Sequence, residues 1–251
     1  MDAEPLLILT AAAFATSILS AIIGMAGGIV LLSVMLLFLD PLVAIPLHGT
    51  VQLVSNGSRT WIQRRHVEHG IALRYALLLL PMGVVGLAIA QSLSPPVART
   101  MIGVFVLIAT WAPGLLLVGA HPERSDRNRR FLILGGVVGV LNPTVGATGP
   151  LIAPFFLNLG LARQAIIGTK AACQALGHLA KIAIFGVAGF AFLPFAAPLA
   201  LLSVAVIAGT WTGSRILGHV SEEWFTILYR TVLTLIALRL VAAEGLALLG
   251  G

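Results

Sequence analysis

Charge is what this sequence has least of. Only 10% of its 251 residues are Asp, Glu, Lys or Arg, against about 25% in soluble domains. That excludes a polar surface large enough to keep a chain of this size in water. Cysteine is nearly absent too. The single Cys173 rules out an intramolecular disulfide and a multi-cysteine metal centre. No Gly-x-Ser-x-Gly elbow, His-Glu-x-x-His pair or phosphate-binding loop occurs, which removes common signatures of hydrolase, zinc-peptidase and nucleotide chemistry. Ser55 and His178, taken as nucleophile and base, have no acid to orient the imidazole. His66-x-x-His69 reads as a solvated loop pair rather than a metal site. No enzyme activity, metal or cofactor is therefore expected. The segment Met1 to Glu4 lacks a positive n-region, so no cleavable signal peptide is expected.

What is present is apolar. Hydrophobic residues make up 59% of the chain, and the mean hydropathy is +1.04. They come in long runs rather than alternating ten-residue segments, so the expected fold is an all-α integral membrane protein and not a barrel. Leu6 to Ile23 runs into Gly24-Met25-Ala26-Gly27-Gly28, and a short stretch, Ile29 to Leu39, follows. Pro46 to Trp61 carries polar residues, and Ile71 to Leu93 and Val97 to Val118 read as plain crossings. After the polar segment His121 to Arg130 the order recurs. Phe131 to Leu141 is interrupted by Asn142 to Pro150, and Leu151 to Leu161 is short. Ala165 to Phe185 is polar-striped, while Leu193 to Ile216 and Trp224 to Val241 are crossings. The expectation is a helix bundle of two repeats, each a Gly-broken, re-entrant-like hairpin plus three further membrane helices. Residues 1–120 form the first repeat, 121–130 a cytoplasmic linker and 131–251 the second. Two registers between the repeats are open. One pairs Gly24 with Gly146 and Gly27 with Gly149; the other pairs Gly49-Thr50 with Gly168-Thr169.

The net charge of +6 reads as orientation in the bilayer rather than nucleic-acid binding, because the basic residues sit mostly in short loops. Placing Arg59, Arg64, Arg65 and Arg74 in the cytoplasm puts Arg124, Arg127, Arg129, Arg130, Arg163 and Arg215 there as well. Arg99, Lys181 and Arg239 then fall near the outer side. With that count the halves are inverted, the construction of many secondary transporters. Trp61, Trp111, Trp211 and Trp224 suit anchoring at the interfaces.

Two features point to a site. Unwound backbone in a bilayer must face protein or a water-filled cavity, and N–H groups at a helix start attract anions; close helix packing is the plainer reading of the same glycines. His48, Gln52, Ser55, Asn56 and Arg59 share one helical face, as do Lys170, Gln174, His178 and Lys181. Interhelical hydrogen bonding is the alternative reading of these stripes, and Lys181 has the further alternative of snorkelling to the outer interface. None of the nine acidic residues falls in the middle of a span, whereas Lys170 and Arg230 do. An intramembrane acid is the normal requirement of a cation carrier, so an anion fits better.

Gly24-Met25-Ala26-Gly27-Gly28 followed by Gly49-Thr50, and Gly146-Ala147-Thr148-Gly149 followed by Gly168-Thr169, resemble the doubled motifs of the TauE/SafE family of sulfite and organosulfur anion exporters. The resemblance covers nearly the whole chain. It implies two inverted repeats in the inner membrane of a bacterium and transport of a small anion such as sulfite, sulfoacetate or thiosulfate. It also implies either proton coupling or facilitated movement. Pro150 stands where a third glycine is common and removes one N–H donor. Combining stripes, breaks and resemblance, the expected substrate-binding residues are Gly24, Gly27, Gly28, Thr50, Gln52, Asn56, Gly146, Thr148, Gly149, Thr169, Lys170, Gln174 and His178. His178 is also the group able to take up a coupled proton. The expected partners are a small anion and the lipid bilayer, with no nucleic acid; a homo-oligomer is left open. A carrier of another metabolite or a cation would show an acid lining its cavity. A membrane subunit without transport would show dry, packed breaks.

Overall fold

A computed structural model describes residues 3–23, 27–117, 121, 124–156, 159–216 and 222–249. Among them every regular element is helical. In the first half these are α1 (Ala3–Ile23), α2 (Gly27–Met35), α3 (Pro41–Ile62), α4 (His69–Ala76), α5 (Leu79–Ser92) and α6 (Pro95–Trp111). In the second they are α7 (Arg127–Val145), α8 (Gly149–Ile152, continued by a 3-10 turn Ala153–Phe156), α9 (Arg163–Val187), α10 (Ala196–Ile216) and α11 (Glu222–Leu249).

Apolar side chains cover the outside of the bundle: Leu7, Leu80, Val84, Val204 and Leu235 are all exposed. Water would not tolerate so continuous an apolar exterior, and lipid does. By length and composition Ala3–Ala21 and Leu193–Gly213 can each cross a bilayer. The bent pair α4 and α5 reaches that length and apolarity when the two helices are taken together.

Three sequence expectations change in detail. The stretch Ile71 to Leu93 is not one straight crossing but two helices bent by 42° at Leu77-Leu78. Pro81 explains this, since its ring crowds the carbonyl four residues back, at Leu77, and supplies no N–H to it. The crossing expected over Val97 to Val118 ends as an α-helix at Trp111 and passes into a 3-10 turn, Pro113–Leu117, because Pro113 disfavours helical backbone at Ala112. The second hairpin breaks later than expected. α7 runs through Asn142-Pro143-Thr144 and stops only at Gly146, which caps it in the left-handed region (φ 78°). Beside Pro143, which supplies no N–H to the Gly139 carbonyl, Thr144 Oγ1 donates back to the Val140 and Leu141 carbonyls (3.1 and 3.0 Å). α7 also starts inside the segment expected to be a loop. Asp126 caps it by accepting from the Asn128 and Arg129 N–H groups.

The packing follows a recurring scheme. α1 lies on α10, with Gly209 against Phe14 and Gly213 against Ile18, so the two run parallel. α7 lies on α4 and α5 in the same sense, with Gly135 against Tyr75, Gly139 against Leu78 and Met82, and Gly86 against Val140. In the centre α3 packs on α9, Gly49 meeting the Lys181 stem while Gly168 meets Gln63, so these two run antiparallel. α6 and α11 are likewise antiparallel, with Gly103 against Ala237 and Val241 and Trp111 Nε1 donating to Thr234 Oγ1 (2.8 Å). α3 leans on α10 as α9 leans on α4 and α5. Small residues at these seams let backbones approach closely where lipid supplies no hydrophobic drive.

The two ends of the bundle carry different charge. Arg127 pairs with Glu68 at 2.7 Å, and the Glu68 N–H donates to Thr169 Oγ1 (2.9 Å). The α3–α4 turn, the start of α7 and the start of α9 therefore share one face, which holds Arg64, Arg65, Arg127, Arg129 and Arg163. Asp40 pairs with Arg99 at 2.9 Å. Trp61, Trp111 and Trp211 are exposed, and arginines lie over their rings: Arg64 at 4.6 Å, Arg230 at 5.4 Å and Arg215 at 3.7 Å. Arg230, read from the sequence as intramembrane, is thus exposed on the outside of α11. Gly57, on α3, has open space around it. Gly57→Ala is expected to raise the melting temperature in detergent, by stabilising the helix about 0.5–1 kcal/mol; a lowered value would mean the position packs against something.

Candidate functional site

The start of α2 and the break between α7 and α8 open onto one cavity. It is lined from the first half by Ser20, Gly28, Ile29, His48, Gln52, Asn56, Arg59 and Tyr75. The second half gives Asn142, Ala147, Thr148, Gly149, Pro150, Gln174, Gly177 and His178. Its volume, counted at the centres of water-sized spheres, is about 20 Å³, room for one or two waters. Among the described residues no acidic side chain lines it. The site is polar and small.

Each lining group is held by a local cause. The spacing of His48, Gln52 and Asn56 by four residues stacks them along α3, and Gln174 and His178 stack likewise on α9. His48 Nε2 bonds the Gly28 carbonyl (2.8 Å). Gly28 carries no side chain, and a Cβ there would lie 3.2 Å from Gln52 Oε1, so glycine is what lets the start of α2 sit against Gln52. The Gly27 N–H is taken by Ser20 Oγ (3.1 Å). Asn56 Nδ2 donates to the Gln52 carbonyl (3.0 Å), and Asn142 Nδ2 to the Gly177 carbonyl (2.9 Å). Arg59, partly buried, folds back so that Nη2 donates to Ser55 Oγ (3.2 Å). The His48 and His178 rings face each other edge to face, 5.8 Å apart.

Six lining residues keep a buried polar atom without a partner: His48 Nδ1, Asn56 Oδ1, Arg59 Nε, Tyr75 OH, Asn142 Oδ1 and His178 Nδ1. Native interiors satisfy the great majority of such atoms. Six around one small space mark a place that receives something polar.

Of the residues expected from the sequence, Gly28, Gln52, Asn56, Thr148, Gly149, Gln174 and His178 are brought together here. Gly27 adjoins them. Gly24 lies outside the described residues. Gly146 is turned to another use, its carbonyl accepting from Lys181 Nζ (2.7 Å). Lys181 itself is fully buried and does not snorkel to the outer interface, because that carbonyl at the end of α7 gives its ammonium a partner inside. Thr50 bonds back to the Pro46 carbonyl (3.2 Å) and Thr169 serves Glu68. Neither they nor Lys170 line the cavity. Arg59, on the α3 stripe but not among the expected binding residues, is the cation that does. Ser20, His48, Tyr75 and Asn142 join it. Tyr75, the only hydroxyl-bearing aromatic in the whole stretch Ile71 to Leu93, was the available signal for the α4 contribution.

Residues 9–240 match the family model described as Sulfite exporter TauE/SafE. No curated protein and no solved structure matches the chain.

Proposed function

The chain belongs to the TauE/SafE family of sulfite exporters, a family of integral membrane transporters, and from that premise we propose that it carries a small anion through this cavity by alternating access. The anion is sulfite, a sulfonate or a related organosulfur or carboxylate species, and the membrane is the bacterial inner membrane. The observation that carries the reading is a cavity between the start of α2 and the α7–α8 break with a guanidinium and, among the described residues, no carboxylate on its wall. Arg59 supplies the charge. α2 starts at the cavity, where Gly28 and Ile29 of its first turn line the space, and a helix start favours an anion. Tyr75 and Gln174 add side-chain hydrogen bonds. The charge assigned from sequence to Lys170 thus falls to Arg59.

The alternation has two inverted halves to work with, residues 1–120 and 131–251 across the linker 121–130. The packing supports this reading. An in-plane two-fold axis pairs equivalent helices antiparallel, as α3 with α9 and α6 with α11 are. It also relates the parallel contact of α1 with α10 to that of α7 with α4 and α5. The basic face at Glu68 is the cytoplasmic one by the loop rule. A proton moving with the anion has the His48 and His178 rings beside it.

In proteoliposomes the protein is expected to take up radiolabelled sulfite well above protein-free vesicles, and unlabelled sulfite on the far side is expected to accelerate the exchange. Folded protein that moved neither sulfite nor any small sulfonate would end the carrier reading.

A further inference from the structure

The six unpartnered atoms are not of one kind, and their kind bears on what the cavity accepts. Asn56 and Asn142 each spend their amide N–H on a backbone carbonyl, at Gln52 and Gly177. A carbonyl can only accept, so the orientation of both amides is fixed. Each keeps a second amide N–H, but the atom left with no partner at all is Oδ1, an acceptor, and in both it is buried. His48 is in the same position. Its Nε2 faces the Gly28 carbonyl at 2.8 Å and must carry the hydrogen, which leaves Nδ1 of the neutral ring as a bare acceptor. Three lining residues from two helices, α3 and α7, thus each hold an acceptor atom that has no partner. These residues are 1–4% exposed.

A bare oxoanion is acceptor on every side. It satisfies Arg59 and the start of α2 but leaves these three acceptors unpaired, or sets oxygen against oxygen. Resting on the carrier reading above, we infer that the transported species is a small anion that brings its own hydrogen-bond donor: an oxoanion bearing an O–H or N–H group, such as hydrogen sulfite rather than sulfite. The charged oxygens lie toward Arg59 and the start of α2, and each X–H hydrogen donates to one of the acceptors of His48, Asn56 and Asn142, so an O–H satisfies one of them and an amino group two. The proton that accompanies the anion travels bonded to it, with the ring nitrogens as acceptors of a hydrogen bond.

Sulfamate and methanesulfonate test this directly. The two ions share charge and shape, and differ in that one presents an amino group where the other presents a methyl. In competition against radiolabelled sulfite uptake, sulfamate is expected to inhibit at a concentration at least about tenfold lower than methanesulfonate, as for sites that reject an analogue lacking a donor. Asn142→Leu, checked for monodispersity, removes one acceptor and is expected to narrow that ratio. Equal inhibition by the two ions while sulfite is still carried overturns the donor requirement and leaves the carrier intact. A ratio unchanged in both Asn142→Leu and Asn56→Leu overturns the assignment of these acceptors. Absence of any sulfite uptake overturns the carrier reading on which the inference rests.

Discussion

Arg59→Met is expected to slow sulfite uptake about 30-fold or more, through a raised KM, while the protein stays folded. Removing one member of a desolvated charge pair costs about 2–5 kcal/mol, and about 1.4 kcal/mol is a factor of ten. The lower end applies because the guanidinium is only partly buried and so partly screened. Nothing on the cavity wall replaces it: the other lining residues are neutral amides, hydroxyls, imidazoles and backbone, and Lys181 is committed to the Gly146 carbonyl. Arg59→Lys is expected to recover part of the loss, since it restores charge but not the forked geometry. Uptake kinetics on variants matched for elution volume decide the matter. A methionine variant with wild-type KM would remove Arg59 from the site and, with it, the reason for reading the cavity as anionic in preference.

The second large effect belongs to the seams. Gly135→Leu places a side chain against the Tyr75 carbonyl, and Gly209→Leu against that of Phe14. Backbone cannot rotate away as a side-chain tip can, so the helices must part. Overpacking typically costs about 1–3 kcal/mol, and a clash with backbone belongs at or above the top of that range. Both variants are expected to lose the monodisperse peak in detergent, or to melt far below the parent. On the two-half arrangement proposed above, the two seams hold equivalent pairs of helices, and similar losses are expected from both. A mild effect at one and collapse at the other would count against equivalence of the halves.

Much of this was legible in the sequence, and the boundary of what was not has physical causes. Low charge and long apolar runs are enough for a membrane helix bundle, because lipid imposes composition directly. The stripes on α3 and α9 brought Gln52, Asn56, Gln174 and His178 toward one space, because i and i+4 residues stack on one face whatever the surroundings. Periodicity names a face, however, and not a depth. Lys170 and Lys181 share a face yet stand about 16 Å apart along the axis at a rise of about 1.5 Å per residue. Only the fold separates the first, buried near Arg59 but not lining the cavity, from the second, locked under Gly146. Thr50 and Thr169 were carried in by motif, but each hydroxyl has a local or cross-element partner that a motif does not reveal. Tyr75 and Asn142 come from elements read as a plain crossing and as part of a break. Their place in the site depends on how α4 and α7 dock, which is long-range packing. The bend at Leu77-Leu78 was visible all along as Pro81.

The parallel contact of α1 with α10 has a consequence for how the protein is made. Its partner lies nearly 200 positions downstream in the chain, so at ribosomal speeds of about 5–20 residues per second the first helix spends on the order of 10–40 s in the bilayer before its seam exists. The corresponding helix α7 meets no such delay: α4 and α5 are already synthesised when it emerges. Two contacts that look alike in the finished molecule thus differ in biogenesis. During translation Gly209 and Gly213 close the bundle, and an insertion factor sheltering polar or small-residue faces would be needed by α1 and not by α7.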